Sequence, residues 1–252
     1  MRTLTLARDL TRRKARERDG SFVAEGIRAC EELTRSALEV VGALVGPQLM
    51  ESPRGVALRR SLEGRGVQVT EVTEKEFASA AATESPQGVL AIARIPRRAF
   101  DDLVRHDTLR LLVLDAVQDP GNVGTIVRTA AALGVTATIA LPGTVDLWNA
   151  KVVRSAVGAH FHHSAFHASW EELQAFCTSG GVAIWGGDAH GADISTVTPP
   201  SRLALAVGNE GGGLSPAVQA AVTQRVSLPI APAVESLNVA VAAGILLFQL
   251  RP

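Results

Sequence analysis

The sequence predicts an α/β protein of two domains. Short runs of apolar and β-branched residues recur along the chain and are typical of buried strands. Helix-forming segments separate these runs, and strands that alternate with helices predict layered α/β domains. A charged segment that contains a proline, residues 95–102, interrupts the pattern. It predicts a boundary between a first domain over residues 1–100 and a second domain over residues 101–252.

The first half has the pattern of a small mixed domain. A basic opening segment, residues 4–18, is expected to be helical. Further helices are expected over residues 27–37 and 57–64. Strands are expected where β-branched and other apolar residues cluster, at residues 21–26, 40–45, 67–69 and 89–93.

The second half also alternates strands with helices. Helices are expected over residues 126–133 and 148–157. Strands are expected over residues 111–115, 137–141, 182–187 and 203–208. Their continuous apolar character is typical of a parallel sheet that is buried on both faces. Ligands of such sheets bind at the carboxyl ends of the strands, and the conspicuous polar and glycine-rich loops follow those ends.

Composition indicates a globular protein without a membrane span. Of the 252 residues, 46% are apolar and 20% are charged, which is a balance typical of folded domains. The apolar run over residues 239–248 is too short to cross a bilayer, and residues 1–10 lack the apolar core of a signal peptide. Cys30 and Cys177 lie outside any Cys-x-x-Cys pair, so neither a metal site nor a disulfide framework is expected. We therefore expect a cytoplasmic protein.

Charge is unevenly distributed along a chain whose net charge is zero. Residues 1–100 hold 17 Lys/Arg against 13 Asp/Glu, whereas residues 101–252 hold 8 against 12. Five of the cations crowd into one segment, namely Arg12, Arg13, Lys14, Arg16 and Arg18. This basic segment is either a solvated helix face or an arm that contacts phosphates. The sequence leaves both interpretations open.

The first of three polar blocks follows a predicted strand and reads DAVQDPGNVGTIVRTA over residues 115–130. Residues 120–122 have turn chemistry, and Gly124 permits close backbone approach before the helix begins. Arg128 falls near the start of that helix. The block is either a capped turn with a surface arginine or part of a functional site.

The second block, AVGNEGGGLS over residues 206–215, places three consecutive glycines beside a strand end. A lone glycine-rich loop could serve a nucleotide, a phosphate or only a turn. The spacing matches neither the dinucleotide-binding fingerprint nor a P-loop. Glu210, at the centre of the block, would repel phosphate and suits a cationic or hydroxyl-bearing partner.

The third block, LPIAPAVESLNVAVAAG over residues 228–244, leads into an apolar helix. Ser236 and Asn238 are residue types that favour helix N-termini. Since they flank Leu237, they are interpreted either as helix caps or as polar residues in a pocket wall.

In order and separation, the three blocks resemble the SpoU (TrmH-type) family of RNA 2′-O-ribose methyltransferases, part of the SPOUT superfamily. The resemblance rests on Asn122, Gly124 and Arg128, on Gly-Asn-Glu-Gly-x-Gly in the second block, and on Leu-Pro-Ile followed by Glu-Ser-Leu-Asn-Val in the third. It is strong over residues 110–250. It is weaker at the front, where residues 22–26 and 85–90 are similar to the family's ribosomal-protein-like substrate-binding domain.

The resemblance implies a C-terminal SPOUT methyltransferase domain with a deep trefoil knot, which is a rare exception to ordinary chain connection. It also implies a homodimer and S-adenosylmethionine as the cofactor. The residues that would contact this cofactor are Gly187, Gly208, Asn209, Leu228, Ile230 and Leu237.

The implied reaction is methyl transfer to a ribose 2′-hydroxyl of RNA, with ribosomal RNA favoured over transfer RNA. A hydroxyl must be deprotonated, or its developing charge stabilised, when it attacks. The family assigns this work to the residue that matches Arg128, although a guanidinium is almost never deprotonated. Arg128 would therefore act as an unusual base or as an electrostatic stabiliser. Asn122, Glu210, Ser236 and Asn238 would position Arg128 and the ribose.

Two other functions remain as alternatives. A non-catalytic RNA-binding protein on the same fold would be expected to lose the arginine or the Ser-Leu-Asn sequence, and this chain keeps both. An ordinary nucleotide-dependent enzyme would need a phosphate-binding fingerprint, which the sequence lacks.

Two further segments are candidates for binding. Residues 151–159 are a second candidate RNA-facing segment, because related proteins carry a similar stretch. The spacing of His160, His162, His163 and His167 suggests a metal site. No cysteine or acidic residue accompanies these histidines locally, so no metal is expected.

Overall fold

The computed structural model describes residues 2–251 and divides them into two compact units. The first unit combines residues 2–97 with residues 148–162, and the second combines residues 98–147 with residues 163–251. Each unit has its own β-sheet. Each unit therefore has the organisation of a domain with a separate core.

Helices and strands alternate through most of the chain. The first half contains, in order, α1 (Arg2–Asp9), α2 (Arg13–Asp19), β1 (Ser21–Glu25), α3 (Ile27–Arg35), β2 (Val40–Val45), α4 (Pro53–Gly64), β3 (Val69–Glu71), α5 (Glu74–Ala78) and β4 (Val89–Arg94). The second half contains β5 (Leu109–Leu114), α6 (Pro120–Ala132), β6 (Ala137–Ala140), α7 (Ala150–Ser155), β7 (Ala165–His167), α8 (Trp170–Gly180), β8 (Ala183–Asp193), β9 (Arg202–Val207), α9 (Pro216–Ala221), β10 (Gln224–Ser227) and α10 (Val239–Gln249).

The first unit is built on a four-stranded sheet in the order β1-β4-β2-β3. β4 runs antiparallel to β1 and to β2, whereas β3 runs parallel to β2. Leu4, Ala7 and Leu10 belong to the core that also contains Leu44 and Ile92. The start of the chain is therefore part of this core, and the mixed α/β domain predicted from the sequence is confirmed.

Most cations of the basic segment form ion pairs or hydrogen bonds with residues that are close to them in the sequence. Arg12, Arg13 and Arg18 form ion pairs with acidic residues one to four positions away. Arg16 is only 4% exposed and donates to the carbonyl oxygens of residues 10 and 11 at 2.7 and 3.0 Å. Lys14 is exposed and has no ion pair within residues 2–251. Most of the segment therefore has the structure of a solvated helix face.

Aromatic rings hold residues 148–162 in the first unit. The ring of Trp148 packs on that of Phe22 with centroids 4.4 Å apart, and the Phe161 ring lies 5.7 Å from Phe22. The imidazole of His160 lies 4.1 Å from the Trp148 ring. α7, which carries most of the candidate RNA-facing segment, packs against β1 of the same unit.

The second unit is built on six parallel strands in the order β10-β8-β9-β5-β6-β7. β5 and β6 are buried along their whole length, which explains their continuous apolar sequences. The predicted parallel sheet is confirmed. Because all six strands run the same way, their carboxyl ends share one edge of the sheet.

α6 begins at Pro120, six residues before its predicted start. The Asp119 side chain caps the helix by accepting a hydrogen bond from the Asn122 N–H at 2.7 Å, and Pro120 occupies the first position, which needs no N–H. Residues 120–122 therefore form the first helical turn instead of a loop. Gly124 lies inside the helix, and Arg128 lies on its third turn.

Five of the helices and strands given above lie outside the predicted ones, namely α5, β7, α8, α9 and β10. β7 and β10 are edge strands of three and four residues, too short for a hydrophobic pattern to show. Their positions are set by pairing with β6 and β8, which depends on the tertiary fold.

α10 is an apolar helix of 11 residues that packs against α6. Within residues 2–251, no helix combines the length and the apolar composition that crossing a membrane requires. Val241, Ile245 and Phe248 of α10 are nevertheless 50%, 41% and 46% exposed. Their spacing of four and three residues places them on one face of the helix, so α10 presents an apolar stripe to its surroundings.

Candidate active site and cofactor cavity

The carboxyl edge of the parallel sheet brings the three polar blocks together. The first block follows β5, the second begins at the end of β9, and the third runs from the end of β10 into α10. β5 and β9 are neighbours in the sheet, so the loops that follow them start side by side. Asn122 and Asn238 are 116 positions apart in the sequence and are hydrogen-bonded to each other in the structure.

One side chain from each block joins a hydrogen-bonded cluster, which we call the polar triad: Asn122, Glu210 and Asn238. The side-chain amide of Asn122 donates to Glu210 Oε1. Asn238 Nδ2 donates to Asn122 Oδ1 at 3.1 Å and to Glu210 Oε1 at 3.4 Å. One oxygen of the carboxylate thus accepts from two amides, while Oε2 has no hydrogen bond within residues 2–251. The triad therefore holds a carboxylate in a defined position.

Helix N-termini hold two members of the triad. Asn122 lies on the first turn of α6, where its N–H is bonded to the capping residue Asp119. Asn238 caps α10, because its Oδ1 accepts from the N–H groups of Ala240 and Val241 at 2.9 and 3.3 Å. Capping uses the oxygen of the Asn238 amide and leaves its nitrogen for the triad. Asn238 is therefore a helix cap and also a member of the cluster.

The glycine loop after β9 folds back on itself. Asn209 and Gly213 exchange two backbone hydrogen bonds of 3.0 and 2.8 Å, and Asn209 Oδ1 accepts from the Gly211 N–H at 2.9 Å. A Cβ at residue 208 would lie 2.2 Å from the carbonyl carbon of Gly213, so only glycine fits at Gly208. Asn209 Nδ2 donates to the carbonyl oxygen of Ala116 at 3.0 Å, which joins this loop to the first block.

A cavity of about 330 Å³ opens beside the glycine loop. Its lining includes all six residues that the resemblance assigns to the cofactor: Gly187, Gly208, Asn209, Leu228, Ile230 and Leu237. Glu210 of the polar triad and Ser236 also line it. This volume falls within the range of small-molecule sites. We call this space the carboxyl-edge cavity.

Arg128 lies outside both the polar triad and the carboxyl-edge cavity. Its side chain is exposed and makes no hydrogen bond or ion pair with residues 2–251. Ser236 lines the cavity, but its exposed side chain makes no hydrogen bond within the same range. Of the five predicted catalytic residues, three therefore form the triad, Ser236 lines the cavity, and Arg128 faces outwards from α6.

Asp188 lines the cavity and was not among the predicted site residues. Pairing between β8 and β10 jumps from residue 186 to residue 192, so residues 187–191 bulge out of the ladder. Such bulges redirect side chains and are frequent beside active sites. Asp188 is also paired with Arg225 at 3.2 Å. The carboxylate that directly follows Gly186-Gly187 is the sequence signal that could have marked this position.

The four histidines with suggestive spacing have different environments. His160 packs on an aromatic ring, His162 is exposed, and His167 Nε2 accepts from the Leu147 N–H at 3.2 Å. His163 is buried, bonds Thr138 Oγ1 at 2.8 Å, and has a pKa lowered by burial to about 4. In the described part of the chain, no three His, Cys, Asp or Glu side chains are grouped as metal ligands would be.

Two family models match the chain. The model described as the SpoU rRNA Methylase family matches residues 110–248, and the model described as the MRM3-like substrate binding domain matches residues 4–91. The first match covers more than half of the chain and includes all three polar blocks. The second covers most of the region in which a substrate-binding domain is expected from the sequence.

A named relative is similar over nearly the whole chain. The 23S rRNA (guanosine(2553)-2′-O)-methyltransferase RlmP of Bacillus subtilis (strain 168) is 33% identical over 240 residues. The aligned region covers 95% of this chain and 92% of RlmP. The similarity therefore includes both units.

Solved structures share the fold over the same extent. The SpoU methyltransferase AviRb from Streptomyces viridochromogenes, in complex with AdoMet, has a TM-score of 0.87 and 26% identity, covering 98% of this chain and 96% of that one. An AdoMet-bound rRNA methyltransferase from Sinorhizobium meliloti has a TM-score of 0.85 and 28% identity, covering 98% and 93%. With its parallel sheet and its three polar blocks at one edge of that sheet, the chain belongs to the SpoU rRNA methylase family.

Proposed function

We propose that this protein transfers a methyl group from S-adenosylmethionine to a ribose 2′-hydroxyl of ribosomal RNA. The observation that carries the proposal is the convergence of the three blocks. One side chain from each forms the polar triad, beside a cavity lined by all six predicted cofactor residues. Its relative RlmP is named as a 23S rRNA 2′-O-methyltransferase, which supports the same substrate class here.

The carboxyl-edge cavity fits a cationic cofactor with an apolar part. Asp188, Glu210 and Glu235 line it, whereas no lysine or arginine of residues 2–251 does. Carboxylates attract a sulfonium or an ammonium group and repel phosphate. Leu228, Ile230 and Leu237 (with others) give apolar walls suited to a purine ring. S-adenosylmethionine, when bound, supplies an electrophilic methyl group on a cationic sulfur.

The protein's own residues would then act on the ribose hydroxyl. The polar triad holds Glu210, whose Oε2 accepts no hydrogen bond from residues 2–251 and can accept one from a hydroxyl. Ser236 would add a second polar contact from the cavity wall. Arg128 would stabilise the negative charge that develops on the ribose oxygen, or a neighbouring phosphate. To act as a base, Arg128 would have to lose a proton, which a guanidinium in a protein almost never does.

The protein is proposed to act as a homodimer, whose partner completes the site. Arg128 faces outwards from α6 and has no hydrogen-bonded or ionic partner among residues 2–251. The neighbouring helix α10 exposes the apolar stripe formed by Val241, Ile245 and Phe248. A second copy that covers this stripe would bury it and would bring another chain beside Arg128. We also propose that the second unit contains the deep trefoil knot that the family resemblance implies.

Methyl transfer from labelled S-adenosylmethionine to purified ribosomal RNA and transfer RNA tests the substrate. We expect label in ribosomal RNA, on a nucleotide whose 3′-phosphodiester resists alkaline hydrolysis, because a methylated 2′-oxygen cannot attack the neighbouring phosphorus. Label confined to transfer RNA would support the alternative substrate. RNA binding without any label in either RNA would support the alternative of a non-catalytic RNA-binding protein. A cytoplasmic location is part of the proposal and rests on the similarity to the Bacillus subtilis rRNA methyltransferase RlmP.

A further inference from the structure

A second cavity lies at the opposite, amino edge of the same parallel sheet. Its volume is about 540 Å³. The residues that immediately precede β5, β6 and β7 line it, namely Thr108, Thr136 and Ser164. We call it the amino-edge cavity. It shares no lining residue with the carboxyl-edge cavity, so the proposed methyl transfer gives it no role.

A buried arginine lines the amino-edge cavity. Arg110 is the second residue of β5, whose other residues are apolar, and it is only 8% exposed. Its guanidinium donates to the carbonyl oxygens of Leu250 at 2.8 Å, Leu109 at 3.1 Å and Ser201 at 2.7 Å. No carboxylate within residues 2–251 forms an ion pair with it. Burial lowers the pKa of Arg110, but a guanidinium stays charged at neutral pH.

Within residues 2–251, the guanidinium of Arg110 is therefore hydrogen-bonded but not neutralised by a carboxylate. Its three bonds use Nε and Nη1, so among the described residues no acceptor takes the two N–H groups of Nη2. A cation that is removed from water without an anionic partner carries a large desolvation cost. An anion that enters the cavity would offset this cost.

Other lining groups extend the donor set. Arg98 adds a second guanidinium, and His106 adds an imidazole. Thr136 Oγ1 accepts a hydrogen bond from the backbone N–H of Arg110 at 3.2 Å. The hydroxyl proton of Thr136 is therefore available to a ligand. Asp102 is the single carboxylate in the lining, and its Oδ2 accepts from the Ala99 N–H at 3.1 Å. Cationic and hydroxyl donors thus outnumber acceptors.

We propose that the amino-edge cavity binds a phosphate group. Guanidinium groups pair with phosphate through two parallel N–H bonds, and hydroxyl groups complete its coordination. The volume exceeds what a single phosphate fills, so the group would belong to a larger molecule. That molecule is either an RNA strand, through its backbone, or a small phosphorylated metabolite. The two cavities of the sheet would then select opposite charges, cationic at the carboxyl edge and anionic at the amino edge.

The amino-edge cavity is tested by titrating the full chain with inorganic phosphate and monitoring the binding by phosphorus NMR. We expect saturable binding that is weakened about tenfold or more by Arg98→Gln and by Arg110→Lys, since each loses a charged or forked hydrogen bond. Arg105→Gln is the matched control, because Arg105 is exposed nearby and does not line the cavity. It should leave the affinity within about twofold.

If Arg110→Lys does not fold, variants of more exposed residues that line the amino-edge cavity can still test the proposal. Arg98 is exposed and Ser164 is half-buried, so Arg98→Gln and Ser164→Ala should leave the fold intact. Unsaturable phosphate binding by the unchanged chain would overturn the proposal. Equal affinity in the unchanged chain, Arg98→Gln and Ser164→Ala would do the same, and would indicate an adventitious ion only.

Binding of a short single-stranded RNA, measured by fluorescence anisotropy at several salt concentrations, distinguishes the two sources. If the phosphate is that of RNA, Arg98→Gln lowers RNA affinity and flattens the slope of log K against log salt by about 0.7. If the ligand is a small metabolite, Arg98→Gln weakens phosphate binding and leaves RNA binding unchanged. Neither measurement uses methyl transfer, so failure here is separate from failure of the proposed function.

Discussion

The polar triad and the basic segment are both clusters that the sequence singles out, but their interactions differ in range. In the triad the hydrogen-bonded partners are 88, 116 and 28 positions apart. In the basic segment the ion-paired partners of Arg12, Arg13 and Arg18 are 3, 4 and 1 positions apart. The triad exists only in the folded unit, whereas the pairs of the basic segment need little more than a helix.

This difference indicates which cluster is the better marker of function. Local ion pairs form on any helix with suitable spacing and contribute a few tenths of a kcal/mol each. A carboxylate that is held by amides from two distant helix ends requires the whole sheet to be in place. The triad is therefore the stronger pointer to a site, and four predictions test the comparison.

The largest expected effect is that of Arg128→Ala on methyl transfer. If Arg128 stabilises developing charge, its loss should lower the rate by about 10²–10³-fold, with S-adenosylmethionine binding unchanged because Arg128 does not line the cavity. Arg13→Ala is the matched control from the basic segment and should retain nearly full activity. Rates are measured under single-turnover conditions, and a near-normal rate for Arg128→Ala would exclude it from catalysis.

The next effect concerns His163. It is hydrogen-bonded to Thr138, 25 positions away in the sequence, and neither residue lines the carboxyl-edge cavity. Its pKa is lowered to about 4, so between about pH 6.5 and 4 the unfolded chain binds more protons and stability falls as pH falls. Between pH 7.5 and 5, we expect the protonation of His163 to lower the free energy of unfolding by about 2 kcal/mol. Urea unfolding at both pH values measures it.

His163→Asn is the variant that isolates this contribution. It should show a smaller loss of stability over the same pH interval and should methylate RNA normally at pH 7.5. Impaired methyl transfer by a folded His163→Asn protein would show that long-range bonds outside the triad also matter for function, and would weaken the comparison.

A smaller effect is expected from separating the two roles of Asn238. Asn238→Ala removes both the cap of α10 and the amide donor of the triad, whereas Asn238→Ser keeps a capping oxygen and loses only the donor. Both variants should lower methyl transfer by about tenfold. Only Asn238→Ala should also lose about 1 kcal/mol of stability, measured by urea unfolding. Full activity of Asn238→Ser would show that the residue serves only as a cap.

The smallest effect is expected within the basic segment. Lys14 has no ion pair within residues 2–251, whereas Arg13 is paired with Glu17 at 2.7 Å. If the segment contacts RNA, Lys14→Gln should flatten the slope of log K against log salt by about 0.7–0.9, and Arg13→Gln should change it less. Unchanged slopes in RNA-binding titrations of both variants would identify the segment as a solvated face.

Deletion of residues 1–18 would be a poorer test of the same point. Leu4, Ala7 and Leu10 belong to the core of the first unit, so the deletion would remove apolar packing together with charge. The buried position of Arg16, which bonds two carbonyl oxygens, adds to that loss. Single-residue variants are therefore needed to separate RNA binding from folding.

The sequence by itself determined the α/β class, the parallel sheet of the second half and the three polar blocks. These follow from local patterns, since buried strands must be apolar and glycine is required where the backbone approaches itself, as at Gly208. Taken singly, the blocks indicated only a turn, a loop and a cap. Their order indicated the family, and the resemblance to that family implied which residues would contact the cofactor.

Only the tertiary structure decided how those residues are combined. It joined Asn122, Glu210 and Asn238 in one cluster, placed Asp188 on the cavity wall and left Arg128 facing outwards. It also buried Arg110 at the opposite edge of the sheet, although a lone arginine in a strand has no distinctive sequence pattern. The physical reason is the same in each case: hydrogen bonds and burial depend on distances between residues far apart in the chain, and local periodicity carries no information about those distances.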